Sequence, residues 1–356
     1  MTNRPLNRDY FQFAIICALP LETNAVLCCL DEIWHDAPQY YGKCQGDNNA
    51  YLFGRSGRHD VVVVTLAGEG RVNAASSAQS LKMSFNSIKL ALCVGICGAI
   101  PFKKDGTEIV LGDVIISEII VDLSHGRQYP GGFNRKDTLL DVYGRPDEEI
   151  LGLLRTWKTA LLLDKLREET KNNLTTLLKH PHLSTEYPGA WEDKLFPSQY
   201  VHMHHTSCVA CLCGSACEHA LTASCIDLNC DESMLVPRQR LLDIFNQYPE
   251  TPTPFIHFGS IGTGDAVMKS ATHRDEIANT ENVIAFEMEG AGIWDKFSCL
   301  VIKGVCDYAD SHKNKNWQTY AAAVAASAMK VVLEQYVTSQ RQSPPGASTG
   351  ELPISP

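Results

Sequence analysis

Short apolar runs, each broken by turn residues and followed by a helical pattern, recur along the chain. Phe13 to Ala18 is continuous and apolar, ends at Leu19-Pro20, and gives way to a helical pattern from Leu21. Val61 to Leu66 is a second such run; it breaks at Ala67-Gly68-Glu69-Gly70 before an Ala/Ser-rich helix over about Val72 to Met83. Further buried strands are predicted at Leu90–Val94, Asp113–Val121, Phe255–Ile261, Val283–Phe286 and Leu300–Val305. The sixth strand passes straight into a helix over Met288–Phe297, and a long Ala-rich helix covers roughly Trp317–Tyr336. Alternating strands and helices predict an α/β domain with a central, twisted, mixed but mostly parallel sheet flanked by helices. In such sheets ligands bind beyond the carboxyl ends of the strands.

The pattern divides the chain. The α/β domain spans 10–337. Within it, 123–253 loses the buried-strand rhythm and reads as a large helical and loop insertion, helical over Glu148–His180. Residues 338–356, with Ser343-Pro344-Pro345-Gly346, read as a disordered tail. With 31 basic against 41 acidic residues the net charge is −10, which argues against a broad nucleic-acid footprint or an anionic membrane surface. The polar start and the lack of a long apolar run give no secretory signal or membrane span, so a cytoplasmic protein with reduced thiols is expected. Of its 14 cysteines, six lie between Cys208 and Cys230. Cys208-x-x-Cys211 with Cys225-x4-Cys230 has spacing suited to a structural zinc; Cys213, Cys217, His202, His204, His205 and His219 offer competing sets, and free thiols or local disulfides are the alternatives.

Three acids follow strand ends: Glu22 after the first strand, Glu289 after the sixth and Asp307 after the seventh. Taken singly, Glu22 is a helix-start acid, Glu289 a solvated first-turn acid and Asp307 a turn residue. If their strands are neighbours, three carboxylates meet in one crevice. That suits cleavage of a glycosidic bond, with one acid for the leaving group, one base for water and a third group for the sugar. No Gly-x-Ser-x-Gly elbow, Walker loop or catalytic metal motif competes with this reading, and no catalytic cofactor is expected.

Glu287-Met288-Glu289-Gly290-Ala291 and Cys306-Asp307-Tyr308-Ala309-Asp310 resemble the signature of the purine nucleoside phosphorylase/uridine phosphorylase superfamily, and within it the methylthioadenosine/S-adenosylhomocysteine nucleosidases. Ala18-Leu19-Pro20-Leu21-Glu22, Gly68-Glu69-Gly70-Arg71-Val72, Gly112-Asp113 and Thr263-Gly264-Asp265-Ala266 follow the family's order, so the resemblance covers about 10–122 and 254–337. The whole pattern, with VIKGVCDYADSHKNKNW, is most similar to a stand-alone fungal branch. The resemblance implies a homo-oligomeric purine nucleosidase, active in purine salvage on adenosine, inosine or guanosine. It implies that Glu22 activates water and Asp307 protonates N7 of the leaving purine. Met288 then packs on the ribose and Glu289 grips its hydroxyls, with Glu287 structural. Val267, Met268 and Phe286 line the base pocket, with Ile96 and Gly98 beside them. Gly131-Gly132-Phe133-Asn134-Arg135 is expected to form part of a lid, with Phe133 or Arg135 touching substrate. Where bacterial phosphorylases of the family hold phosphate with an arginine and a serine, this chain has Cys93 and Ile96, which cannot bind a dianion. Hydrolysis is therefore expected over phosphorolysis; a non-enzymatic nucleoside or nucleotide sensor is the third reading. Gly68 and Gly70 offer backbone N–H groups for an anion, against a tight strand-to-helix turn, and Arg238 and Arg240 offer charge for a phosphate, against a solvated basic turn.

Overall fold

The computed structural model describes residues 4–138, 146–205, 208–212, 214, 216–246 and 251–337. The predicted tail and Cys213 lie outside them. The strands are β1 (Phe13–Cys17), β2 (Glu32–Ile33), β3 (Tyr51–Ser56), β4 (His59–Thr65), β5 (Leu90–Ala99), β6 (Val114–Asp122), β7 (Gly126–Tyr129), β8 (Gly132–Arg135), β9 (Ile256–Thr263), β10 (Val283–Glu287) and β11 (Cys299–Asp307). The helices are α1 (Pro20–Cys29), α2 (Ala37–Tyr41), α3 (Arg71–Ser84), α4 (Glu148–Trp157), α5 (Ala160–Leu177), α6 (Val209–Leu212), α7 (Gln239–Asn246), α8 (Ala271–Glu281), α9 (Gly290–Trp294) and α10 (Gln318–Gln335).

The seven predicted strands all form, because each is a β-branched or apolar run with both faces covered. They join one sheet in the order β10-β9-β6-β11-β5-β1-β4-β3-β2. Its pairings are mixed, five parallel and four antiparallel. β10 pairs with β9 on one side and with β5 on the other, so one end of the sheet curls closed. Phe286 and Asp307 are both register partners of Gly98, and the β11 ladder slips by one residue between Val305 and Asp307. A bulge of this kind re-aims the side chain beyond it. Closure and bulge together gather the ends of β5, β10 and β11 at one point.

The Ala-rich α10 lies against β11 and β5, and its small side chains allow a close approach. A Cβ on Gly304 would stand 2.0 Å from the Ala321 carbonyl oxygen. α5 packs on the far side of α10. The predicted helix over Glu148–His180 is two helices, α4 and α5, broken at Lys158–Thr159. Helix α9 is shorter than predicted, because the Glu287 carboxylate takes the N–H groups of Glu289 and Gly290 and holds them as a turn. The edge strands β2 and β3 and the hairpin β7–β8 were not foreseen; they are short and carry mixed burial. Among the described residues no helix is long and apolar enough to cross a membrane.

The Gly304 contact gives a direct check on this packing. Gly304→Ala is expected to lower unfolding free energy by about 1–3 kcal/mol or more, read from denaturant unfolding, because neither β11 nor the α10 backbone can give way cheaply.

Candidate active site

Each acid is positioned by the local chain. Pro20 opens α1, and Glu22 sits in its first turn. Its Oε2 accepts from the N–H groups of Ala18 (2.8 Å) and Leu19 (2.9 Å), and its Oε1 from that of Ile96 (2.8 Å). Glu22 is thus the helix-start acid of the plainer reading and a cavity residue as well. A carboxylate has about four acceptor positions, so three N–H bonds leave one for a further donor such as water. The carboxylate fits only because residue 95 is glycine, whose Cβ would lie 2.0 Å from Glu22 Oε1. Gly98 makes room for Asp307 in the same way, at 2.6 Å from Oδ1. Asp307 Oδ1 accepts from the Ala309 N–H (2.8 Å) and pairs with Lys313 Nζ (2.9 Å). The turn needs Ala309 at φ +53°, a conformation that costs a non-glycine residue energy. Next to it Tyr308 is fixed twice: its hydroxyl lies between Asp193 and Arg238, and its carbonyl accepts from Arg274 Nη1 at 2.7 Å.

Glu289 Oε1 accepts from the Gly70 N–H at 3.2 Å, and Oε2 from Lys303 Nζ at 3.2 Å. Gly70 has φ +99° and opens α3. The next N–H of that helix, from Arg71, goes to Asp265. Glu287 is buried deeper, bonded to Thr263 and to the N–H groups of Glu289 and Gly290, with Lys303 Nζ 3.8 Å away. The pattern reading missed Lys303, although a lysine inside the apolar run Leu300–Val305 was its visible signal. It is 1% exposed and is the register partner of Gly95. One ammonium therefore faces Glu22, Glu287 and Glu289. Burial opposes its charge, but Cys93 and these three acids hold the ammonium well above its usual range. A single cation cannot offset three carboxylates. Burial accordingly pushes Glu22 and Glu287 up, against the pull of Lys303.

A cavity of about 140 Å³ lies over this group. Of the residues predicted for the site, Glu22, Ile96, Gly98, Val267, Met268, Phe286, Glu287, Met288, Glu289 and Asp307 all line it. Lys313, Glu69, Cys306 and Gln318 line it too and were not foreseen. Phe133 is not among the lining residues. It lies on the β7–β8 hairpin, half exposed, with its ring over Gly126. Arg135 pairs with Glu281 instead. Arg238 and Arg240 are likewise committed, the first to Asp193 and Tyr308 and the second to Asp113. The N–H of Gly70 is taken by Glu289. A larger cavity of about 630 Å³, lined by Phe102, Phe196, Arg274 and Ile284 among others, contains none of the three convergent acids. The four cysteines predicted as one zinc set fall into two groups: Cys225 and Cys230 meet His202, and Cys208 and Cys211 meet Cys217.

This fold recurs in solved structures. Futalosine hydrolase of Helicobacter pylori aligns over 92% of this chain and 99% of its own, with a TM-score of 0.52 and 14% identity. The 5′-methylthioadenosine/S-adenosylhomocysteine nucleosidase of Helicobacter pylori aligns over 92% and 99%, with a TM-score of 0.51 and 13% identity. S-adenosylhomocysteine nucleosidase of Streptococcus pyogenes gives 0.51, with 16% identity over 92% and 98%. The chain has the fold of these nucleosidases. No family model matches it. In sequence it is 31% identical over 324 residues to a nucleotide-binding leucine-rich repeat-like protein of Hyaloscypha variabilis, covering 89% of this chain and 28% of that protein. It is 30% identical over 113 residues to a death domain-containing ATP nucleosidase of Amphimedon queenslandica, covering 28% of this chain and 20% of that protein. The chain thus matches only a minor part of the length of these curated relatives.

Removing the Lys303 charge tests the electrostatic account. Lys303→Met leaves buried acids without their cation and is expected to cost about 3–5 kcal/mol in denaturant unfolding. A loss below about 1 kcal/mol would mean that the acids do not depend on it.

Proposed function

We propose that this domain hydrolyses the N-glycosidic bond of purine ribonucleosides or ribonucleotides, releasing free base. The observation that carries the proposal is the convergence of Glu22, Glu289 and Asp307 from three separate strand ends onto one small cavity, two of them in space made by glycines. In this reading Glu289, the middle acid of the three, holds the ribose hydroxyls, and Met288 packs on the sugar. Glu22 takes the proton of the attacking water with its remaining acceptor position. The purine lies against Phe286, Val267 and Met268. Asp307, having taken up a proton from solvent, gives it to N7 as the glycosidic bond breaks, and Lys313 at its Oδ1 stabilises the carboxylate left behind. Electron density moves into the purine, positive charge develops on the ribose, and the Glu22 and Glu289 carboxylates oppose that charge. Glu287 is a positioning residue that fixes the Glu289 turn. The Amphimedon relative's description as an ATP nucleosidase widens the candidate substrates from nucleosides to nucleotides. By resemblance we expect the active form to be a homo-oligomer.

Two features favour water over phosphate. Cys93 and Ile96 carry no charge, and the first N–H groups of α3 are already bonded to Glu289 and Asp265. A panel of adenosine, inosine, guanosine and ATP, with and without phosphate, is expected to yield free base and a phosphate-independent rate. Formation of ribose 1-phosphate would make the domain a phosphorylase, and no turnover would make it a sensor.

Asp307→Asn and Glu22→Gln are each expected to lower kcat/KM by at least ~10²-fold with the fold intact by circular dichroism. Parent-like activity in either removes that residue from the mechanism. Burial raises the Glu22 carboxyl above its ordinary value of 4.5, and the base works only when ionised. The rate is therefore expected to fall as pH drops through that raised value. An acid limb at or below 4.5 in the pH–rate profile would exclude Glu22 as the base.

A further inference from the structure

The described residues between Phe196 and Leu235 form a small lobe whose own buried cluster is Phe196, Cys211, Ala220, Leu228 and Cys230. Among the described residues its regular structure is the short α6 and one 3-10 turn at Glu232–Met234. A segment of about 40 residues with so small a core is in the size range where a cross-link or a metal is usually needed. His202 is a buried polar residue of this lobe. Its Nδ1 is 3.6 Å from Cys225 Sγ and 3.5 Å from Cys230 Sγ, and these three atoms lie within 4.8 Å of one another. Its Nε2 is 2.9 Å from the Ala223 carbonyl oxygen. A carbonyl only accepts, so Nε2 carries the proton and the Nδ1 lone pair points at the two sulfurs. This second bond is the one that orients metal-ligating histidines. A tetrahedral zinc with sulfur at about 2.3 Å and nitrogen at about 2.05 Å would set those ligands about 3.5 Å apart.

We propose that His202 Nδ1, Cys225 Sγ and Cys230 Sγ bind a zinc ion. Binding displaces the protons of the two thiols, which ligate as thiolates. A cleft of about 120 Å³ borders His202 and Cys225. The assignment is independent of the reaction proposed above, but the site lies close to its machinery. The His202 N–H donates to Ser311 Oγ at 3.0 Å, and its ring meets that of His312, with centroids 5.3 Å apart. Those residues lead directly to Lys313, the partner of Asp307. The metal therefore acts as a structural staple behind the turn that carries Lys313.

Metal analysis of the full chain, purified under reducing conditions without added metal, is the test. The parent is expected to hold one zinc at this site, which His202→Ala and Cys230→Ser each lose. Cys211→Ser, in the neighbouring sulfur cluster, keeps it. A parent with no bound zinc, or zinc lost in Cys211→Ser and retained in Cys230→Ser, overturns the assignment. Should the variants fail to fold, cobalt added to the metal-free parent reports instead. Tetrahedral thiolate absorption and recovery of the thermal midpoint on adding zinc are expected; neither appears if the site does not bind metal. A Cys225–Cys230 disulfide in the intact mass of the reduced-purified chain would also overturn it.

Discussion

The site rests on one buried cation. Lys303 is buried in the middle of the sheet, its ammonium beside Glu287 and Glu289 and within electrostatic reach of Glu22. Burying any of these charges alone would be very costly. Together they are tolerable, because Lys303 faces Glu287 and Glu289 while backbone N–H groups complete the coordination of each acid. The imbalance matters as much as the pairing. With one positive charge against three acids, burial pushes the Glu22 and Glu287 carboxyls up against the pull of Lys303.

Glycine determines where these charges can go. Gly95 and Gly98 lie on the strand between β1 and β11, and a methyl group on either would collide with Glu22 or Asp307. Gly290 plays the same part for Glu287, at 2.9 Å from Oε1. The closure of β10 onto β5 then brings the Glu289 turn over the other two acids. A strongly committed surround holds the assembly: Arg238, Asp193 and Arg274 fix Tyr308, and Arg240 with His257 fixes Asp113 at the base of β6. Burial raises the Asp113 carboxyl, but Arg240 and His257 outweigh it and hold the group well below the usual range.

The seven central strands were legible because both of their faces are covered, which leaves long apolar runs in the sequence. The edge strands were not, since Tyr51–Ser56 carries a glycine, an arginine and an exposed leucine where a buried strand would be uniform. Glu22, Glu289 and Asp307 were legible from their places after strand ends and from their order along the chain. Lys303 and Lys313 were not sought, because the chemistry was framed in carboxylates, whereas physical balance requires their counter-charges. Arg238 and Arg240 were misread as free charge for the opposite reason. Their partners, Asp193 and Asp113, lie 45 and 127 residues away in sequence, and no local pattern reveals such a pair. The zinc spacing was visible, but which sulfur meets which imidazole depends on a lobe with almost no periodic structure.

The same charge balance bears on the proposed choice of water over phosphate as nucleophile. Among the described residues lining the cavity, Lys313 is the one cation, and it is already paired with Asp307. Lys303 lies beneath and is engaged by Glu289. A phosphate dianion would have to draw one of these ammoniums from a carboxylate, in a site that already carries excess acid. Like charges in so confined a space repel strongly, and at the start of α3 the Gly70 and Arg71 N–H groups are already bonded to Glu289 and Asp265. Water carries no charge and needs only one acceptor. Glu22 retains such a position after its three backbone bonds, and Ile96 lines the same cavity without a charge.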